Sequence, residues 1–220
     1  MGDRFSRTSV VVGPSGWFRR AAEWLLHSPL LYDVIQLVAG ERQFRRRLAP
    51  HLRALPDACS LIDIGGGTGR SHRRSPAARY VCMDLDFAKL RWFRGGRPGR
   101  LAVVADAAAC PFGAETFDGV LCAKVAHHLN DAALTAVLAE TARILKPGGV
   151  LILADPIRSS RWMSQVLWRL DRGSFPRSAA QIRTAVPAEY VVTEWEEFRV
   201  AIFHEFVLYA ARKEAGTDAK

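Results

Sequence analysis

The sequence predicts an α/β fold, a parallel sheet wrapped by helices, and three observations predict it. Short apolar runs alternate with helix-period segments from Cys59 onward. One of those runs, Leu61-Ile-Asp-Ile64, leads straight into Gly65-Gly-Gly-Thr-Gly69-Arg70. Two long strand-like runs, Tyr190–Phe198 and Ile202–Arg212, close the chain with only a few residues between them, as an antiparallel hairpin would.

The expected strands are Ser60–Ile64, Tyr80–Asp84, Leu101–Ala105, Phe117–Cys122 and Val150–Asp155, followed by the hairpin. Phe87–Phe93 has helical period. Asp131–Leu145 is the stronger helix, with Leu134, Val137, Leu138, Ala142 and Leu145 on one face and Asn130 or Asp131 as its cap. Lys146-Pro-Gly-Gly149 ends it with a cation at the negative terminus, a helix breaker and a turn. Arg161–Leu170 and Ser178–Val186 are further helical segments. Before the alternation begins, residues 16–52 carry amphipathic helical stripes through Phe18, Leu25, Val34, Phe44, Leu48 and Leu52. The expected division is a helical leader or lid over 1–54, a core over 55–213 and a tail over 214–220.

The chain has 220 residues, enough for one domain with a normal core, and a hydrophobic share of 49% marks it as globular. The net charge is +9, and only five of 31 basic residues are lysine. The arginines are spread along the chain, which fits a dispersed basic surface better than a nucleic-acid stripe. Cys59, Cys82, Cys110 and Cys122 lack C-x-x-C spacing and read as buried free thiols of a reducing compartment. No apolar run reaches the ~18 residues a bilayer span needs. No export signal is evident, so a cytoplasmic location is expected.

A strand, a glycine turn and a helix start make a nucleotide cradle at a sheet edge. The dinucleotide pattern G-x-G-x-x-G fails, because the third small residue falls on Arg70 or His72. The phosphate-loop pattern fails for want of Gly-Lys-Ser/Thr. What fits is G-x-G-x-G, with Gly65, Gly67 and Gly69, preceded by Asp63. Asp84 ends the next strand 21 positions after Asp63, where an acid can accept from a ribose diol. Asp106 ends the third strand and can accept from an adenine amino group.

Asp63-Ile-Gly-Gly-Gly-Thr-Gly69, Asp84, Asp106-Ala107, Ala126-His-His-Leu129 and Leu145–Gly149, in this order and spacing, resemble the class I S-adenosylmethionine-dependent methyltransferases. The similarity is greatest to the bacterial type 11 group acting on small molecules, and it runs from about Leu55 to Ala211. It implies a Rossmann-like, doubly wound seven-stranded sheet of order 3-2-1-4-5-7-6 with strand 7 antiparallel. It implies S-adenosyl-L-methionine as cofactor, with Gly65, Gly66, Gly67 and Gly69 along its methionine part. Asp84 would take the ribose, Leu85 and Ala107 would flank the adenine, and Asp106 would accept from its amino group. Asp63, Lys124 and, from the leader, Tyr32 would complete the site. Only 15 positions separate Gly69 from Asp84, so the helix between them must be short.

Methyl transfer from a sulfonium is an in-line displacement that needs alignment and water exclusion more than acid–base help. For a phenol, hydroxyl or carbon acid a general base contributes. The candidates are His127, His128, Asp155 and, more remotely, His204. No metal is called for by ligand spacing. The acceptor should be a small aromatic or hydrophobic molecule meeting Trp162, Met163, Trp168 and Phe175. Arg158, Arg161, Arg169, Arg172 and Arg177 border the same region and would suit an anionic substrate or an acidic lipid surface. Nucleic acid is not expected as a partner, since Ala123-Lys-Val-Ala126 stands where a base-modifying enzyme has Asn/Asp-Pro-Pro-Tyr. A protein that keeps the fold and cofactor without methylating, such as a cyclase or binding module, is the alternative from another class.

Overall fold

The computed structural model describes residues 40–71, 75, 77–96, 100–158, 175–200 and 204–214. The chain divides into two compact units, Met1–Glu41 and Arg42–Lys220, and the description below concerns the second. Its elements in order are α1 (Glu41–Arg53), β1 (Ser60–Ile64), β2 (Arg79–Asp84), α2 (Phe87–Gly95), β3 (Leu101–Val104) and β4 (Phe117–Ala123). There follow α3 (Asp131–Ile144), β5 (Leu145–Ile157), α4 (Ala179–Thr184), β6 (Tyr190–Val200) and β7 (His204–Lys213). The seven strands form one sheet of order β3-β2-β1-β4-β5-β7-β6. β1 to β5 are mutually parallel, and β7 runs antiparallel to both β5 and β6. This is the order that the motif resemblance implies.

β1 is buried on both faces, as an apolar run in the centre of a parallel sheet must be. Its two faces feed two cores. On one, Ile62, Ile64, Val120 and Leu153 pack under Leu134 and Leu138 of α3. On the other, Leu61, Cys82 and Leu121 pack under Phe44, Leu48 and Leu52 of α1 and Leu90 and Phe93 of α2. The third helical stripe, expected in the leader, thus lies within the sheet's own core.

Local chemistry sets the helix ends. Asn130 rather than Asp131 caps α3, accepting from Ala133 N at 2.8 Å. Asp86 caps α2, and Ser178 with Gln181 forms a reciprocal capping box on α4. After α3 the chain enters β5 at once: Leu145 pairs with Phe117, Gly149 is tucked against Asp118 O, and regular pairing resumes at Val150. The expected turn at Lys146–Gly149 is therefore an irregularity inside a long strand. The hairpin closes with Val200 opposite His204. All four cysteines are free and buried. Arg161–Leu170 lies outside the described residues, as does the stretch 72–74 after the glycine turn. Among the described residues no helix is long and apolar enough to cross a membrane.

The opposite edge of the sheet is tied by one carboxylate. Asp118 accepts from Ser60 N at 2.8 Å, Ser60 Oγ at 2.7 Å and Lys146 Nζ at 2.7 Å. Burial pushes its pKa up, but Lys146 and Ser60 outweigh that and hold it down at about 2, against an ordinary 3.8. A depressed carboxyl pKa means that folding releases a proton between those two values. The stabilisation is present above pH 3.8 and lost as pH falls toward 2. In urea unfolding, wild type should exceed Asp118→Asn in stability by a margin that is full above that window and shrinks through it.

Candidate functional site

The C-terminal ends of β1, β2, β3, β4 and β5 share one edge of the sheet, and every described site candidate but Asp63 lies on it. Gly65, Gly67 and Gly69 have φ of 67°, 52° and 67°, the left-handed region that glycine enters without strain. The turn is also sterically closed to side chains. A Cβ on Gly65 would stand 2.3 Å from Val125, one on Gly69 would stand 2.1 Å from Phe93, and one on Gly66 would meet Cys82 Sγ at 2.7 Å. Gly67 differs. A Cβ there would make only ordinary contacts, with Lys89 Cδ at 3.5 Å and Asp84 Oδ2 at 3.7 Å.

Asp84 is aimed by backbone. Its Oδ2 accepts from Gly67 N at 2.9 Å and its Oδ1 from Asp86 N at 2.8 Å. The carboxylate is fixed between the turn and the start of α2. Leu85, beside it, is 70% exposed. At the end of β3, Asp106 Oδ1 accepts from Ala108 N at 2.9 Å, and half-buried Ala107 packs on the core below. The turn, Asp84, Leu85 and Asp106-Ala107 thus line up along adjoining strand ends, as a nucleoside requires.

Asp63 takes a different place from the one expected. It is buried at 2% exposure under the turn, and its carboxylate accepts from the Tyr80 hydroxyl. Burial raises its pKa to about 7, against the lowering effect of Tyr80 and Ser71 and with Asp84 raising it further. It braces the turn from below instead of lining the cradle, because β1 is covered on both faces. Tyr80 was not singled out in the sequence, where its alternation reads as ordinary strand packing.

Asp155 also differs from expectation. It is 1% exposed and saturated: Oδ2 accepts from Val125 N and Ala126 N, both at 2.8 Å, and Oδ1 from His127 N at 3.0 Å. His127 Nδ1 lies 2.8 Å from the same Oδ1, which sets Nδ1 as the protonated nitrogen. A carboxylate so engaged holds the loop after β4 and orients His127; it is not open to a substrate proton. His127 is itself buried, and exposed His128 stacks on it with ring centroids 3.9 Å apart.

Arg177, expected to meet an anion, is buried. Its guanidinium donates to Ala126 O at 2.8 Å, Leu129 O at 2.7 Å and Asp131 Oδ1 at 2.7 Å. Phe175 N donates to His127 O at 3.1 Å, and Arg158 N to Arg177 O at 2.7 Å. The segment before α4 is thereby clamped over the histidine loop. Arg158 and Phe175 are exposed. Tyr32, Arg161, Trp162, Met163, Trp168, Arg169 and Arg172 lie outside the described residues, as does the side chain of His204.

Lys124 follows β4 with φ 61°, a conformation that costs a non-glycine residue about 1–2 kcal/mol. Its N–H donates to Ala154 O at 2.8 Å, and its ammonium lies 4.4 Å from the Phe44 ring centroid.

A seven-stranded sheet of this order, with a G-x-G-x-G turn after β1 and an aimed acid after β2, defines the class I methyltransferase architecture. Residues 62–153 match the family described as a methyltransferase domain. The ubiquinone/menaquinone biosynthesis C-methyltransferase of Desulfotalea psychrophila is 33% identical over 135 residues, 56% of this chain and 53% of that protein. The chain spans about half the length of most of the curated relatives it matches. Among solved structures, geranyl diphosphate C-methyltransferase from Streptomyces coelicolor superposes with a TM-score of 0.65 at 18% identity, covering 79% of this chain and 80% of that one. The [4+2]-cyclase SpnF superposes with a TM-score of 0.64 at 17% identity, covering 78% and 82%.

Two outcomes follow for the cradle. Gly69→Ala should cost more than Gly67→Ala in denaturant unfolding, by about 1–3 kcal/mol, because both strain φ but only the first drives a methyl into Phe93. A carboxyl pKa raised on folding stabilises most below its unfolded value, and that contribution is lost as pH rises through about 7. Unfolding midpoints should accordingly show Asp63→Asn gaining on wild type as pH rises from 3.8 to about 7.

Proposed function

We propose that the protein transfers a methyl group from S-adenosylmethionine to a small hydrophobic acceptor. The observation that carries this reading is the aimed acid at the end of β2: Asp84 is held by the N–H groups of Gly67 and Asp86 beside a turn of glycines at positive φ. The ribose diol would sit on Asp84, the adenine between Leu85 and Ala107 with its amino group toward Asp106, and the methionine end along the glycine turn toward Lys124. The residues present fit that group: neighbouring side chains exclude a Cβ at Gly65, Gly66 and Gly69, so the turn stays bare backbone beside the part-exposed carboxylate of Asp84. When bound, the cofactor supplies a sulfonium-activated methyl group.

The chain's own residues then supply alignment and, for an acceptor that must lose a proton, a place to put it. The histidine pair after β4 is that place, with exposed His128 toward the acceptor and His127 held in one tautomer by Asp155. Asp155 acts through His127 as a positioning residue. Arg177 keeps the loop and its covering segment together. A hydrophobic acceptor is supported by the names of the relatives, which include quinone and prenyl diphosphate C-methyltransferases. A second reading, binding without methyl transfer, is supported by the same fold in a [4+2]-cyclase.

Calorimetry tests the first step. S-adenosylhomocysteine should bind at micromolar strength, and Asp84→Ala should weaken it by at least about tenfold, or ~1.4 kcal/mol. Unchanged affinity in that variant would show the ribose assignment to be wrong. Tight binding of the cofactor with no methylated product across quinones, phenols and prenyl diphosphates would favour the cyclase-like reading.

A further inference from the structure

The helix α2 has two unlike faces. Leu90 and Phe93, three positions apart, are buried against the sheet. The opposite side is filled by Phe87, Ala88, Arg91 and Trp92, neighbours at spacings of three and four. A helix that only packs on its own sheet carries polar residues there. Here Phe87 is 66% exposed and Trp92 62%. β3, which packs beside α2, is the edge strand of the sheet, and its Leu-Ala-Val-Val run holds no charge. Val104 is 52% exposed and lies on the α2 face, since it alternates with Ala102, which packs on the core under α2. Leu101, 55% exposed, marks the other side of the same edge. Single exposed apolar residues need no explanation, but two aromatics beside an uncharged open edge form a patch.

The charge around this patch has one sign. Lys89, Arg91, Arg94 and Arg100 lie between Phe87 and Val104, and that stretch holds no acid. Elsewhere arginines meet acids: Arg47 pairs with Glu196, Arg143 with Glu140 and Arg177 with Asp131. On α2, Lys89 lies 3.5 Å from Asp86, whereas Arg91 and Arg94 are exposed and have no acid beside them among the described residues. The acids nearest in sequence, Asp84, Asp86 and Asp106, stand along the mouth and accept from backbone N–H groups. A second copy of the chain, paired edge to edge through β3, would bring two sets of these cations together across a two-fold axis. A nucleic acid would neutralise the cations and leave the aliphatic edge in water. An anionic bilayer serves both: its headgroups take the cations, and its interface takes the aromatic and aliphatic side chains.

We propose that the outer face of α2 and the adjoining β3 edge form a docking surface for an anionic lipid bilayer. Phe87, Trp92 and Val104 enter the interface, and Arg91 and Arg94 pair with lipid phosphates. Phe87 follows Asp84 by three positions, so docking here sets the mouth beside the membrane, where a hydrophobic acceptor concentrates. The docking goes beyond the methyl-transfer reading and does not depend on it.

The test is co-sedimentation of the full chain with unilamellar vesicles, of phosphatidylcholine alone and of phosphatidylcholine mixed with phosphatidylglycerol. Wild type, Trp92→Ala, the pair Arg91→Gln with Arg94→Gln, and the pair Arg46→Gln with Arg53→Gln are compared. The last pair makes the same charge change at exposed positions of α1. Wild type should bind the anionic vesicles at least about tenfold more tightly than the neutral ones, and rising salt should release it. Trp92→Ala and the α2 pair should each lower the partition coefficient about tenfold, while the α1 pair keeps most of it. All the substituted side chains are exposed, so urea midpoints should stay close to wild type and separate lost docking from lost folding. Equal losses in the two charge pairs would show attraction by net charge alone and overturn the proposal. Binding that Trp92→Ala leaves intact, or no binding to either vesicle, overturns it as well. A dimer in sedimentation equilibrium that Trp92→Ala dissociates, or tighter retention on single-stranded RNA than on anionic vesicles, replaces the bilayer with a second copy or a nucleic acid. S-adenosylhomocysteine calorimetry decides the methyltransferase reading separately, and its failure leaves the vesicle result standing.

Discussion

The loops leaving β1, β2, β3 and β4 carry backbone N–H groups that the strands no longer satisfy, and an acid at a strand end takes them up. Asp84 accepts from Gly67 and Asp86, Asp106 from Ala108, and Asp155 from Val125, Ala126 and His127. A buried donor without a partner would cost about 1–3 kcal/mol, so these carboxylates fix the loops before any ligand arrives. The cradle and the histidine pair both depend on this arrangement.

The same edge separates two kinds of acid. Asp84 and Asp106 retain access to the mouth, and so can serve a ligand as well as the loop. Asp63 and Asp155 are buried and engaged by their neighbours, Tyr80 and Ser71 in one case and the β4 loop in the other. Access to the mouth and internal support are therefore divided between residues that look alike in sequence. Arg177 makes the corresponding point for cations. A guanidinium spent on three carbonyls and Asp131 is structural, whatever its charge suggests.

Lys124 couples the two halves of the site. Its backbone joins β4 to β5 and its neighbour Val125 abuts Gly65, while its ammonium lies over the packed rings of Phe44 on α1 and Phe206 on β7. The glycine turn and this aromatic pair are thereby linked through one residue held at positive φ.

The positions of the strands, the helix α3 with a cap at Asn130 or Asp131, the glycine turn and the closing hairpin were legible in the sequence, because each is written in local chemistry: period, capping residues and glycine spacing; the early start of β5 at Leu145 was not. The positions of Asp84 and Asp106 followed from their place at strand ends. What local chemistry could not give was the direction and burial of each side chain at the edge. Asp63 beneath the turn, Asp155 closed by four donors, Arg177 turned inward and α1 lying within the core are all set by which faces the neighbouring elements cover. Those contacts join residues from 17 positions apart, as in Asp63 and Tyr80, to 162, as in Phe44 of α1 and Phe206. The sequence by itself determined the architecture and the kind of ligand cradle. Only the packed sheet decided which charged groups face the ligand and which hold the loops, because burial is a property of the assembled layers and not of any one strand.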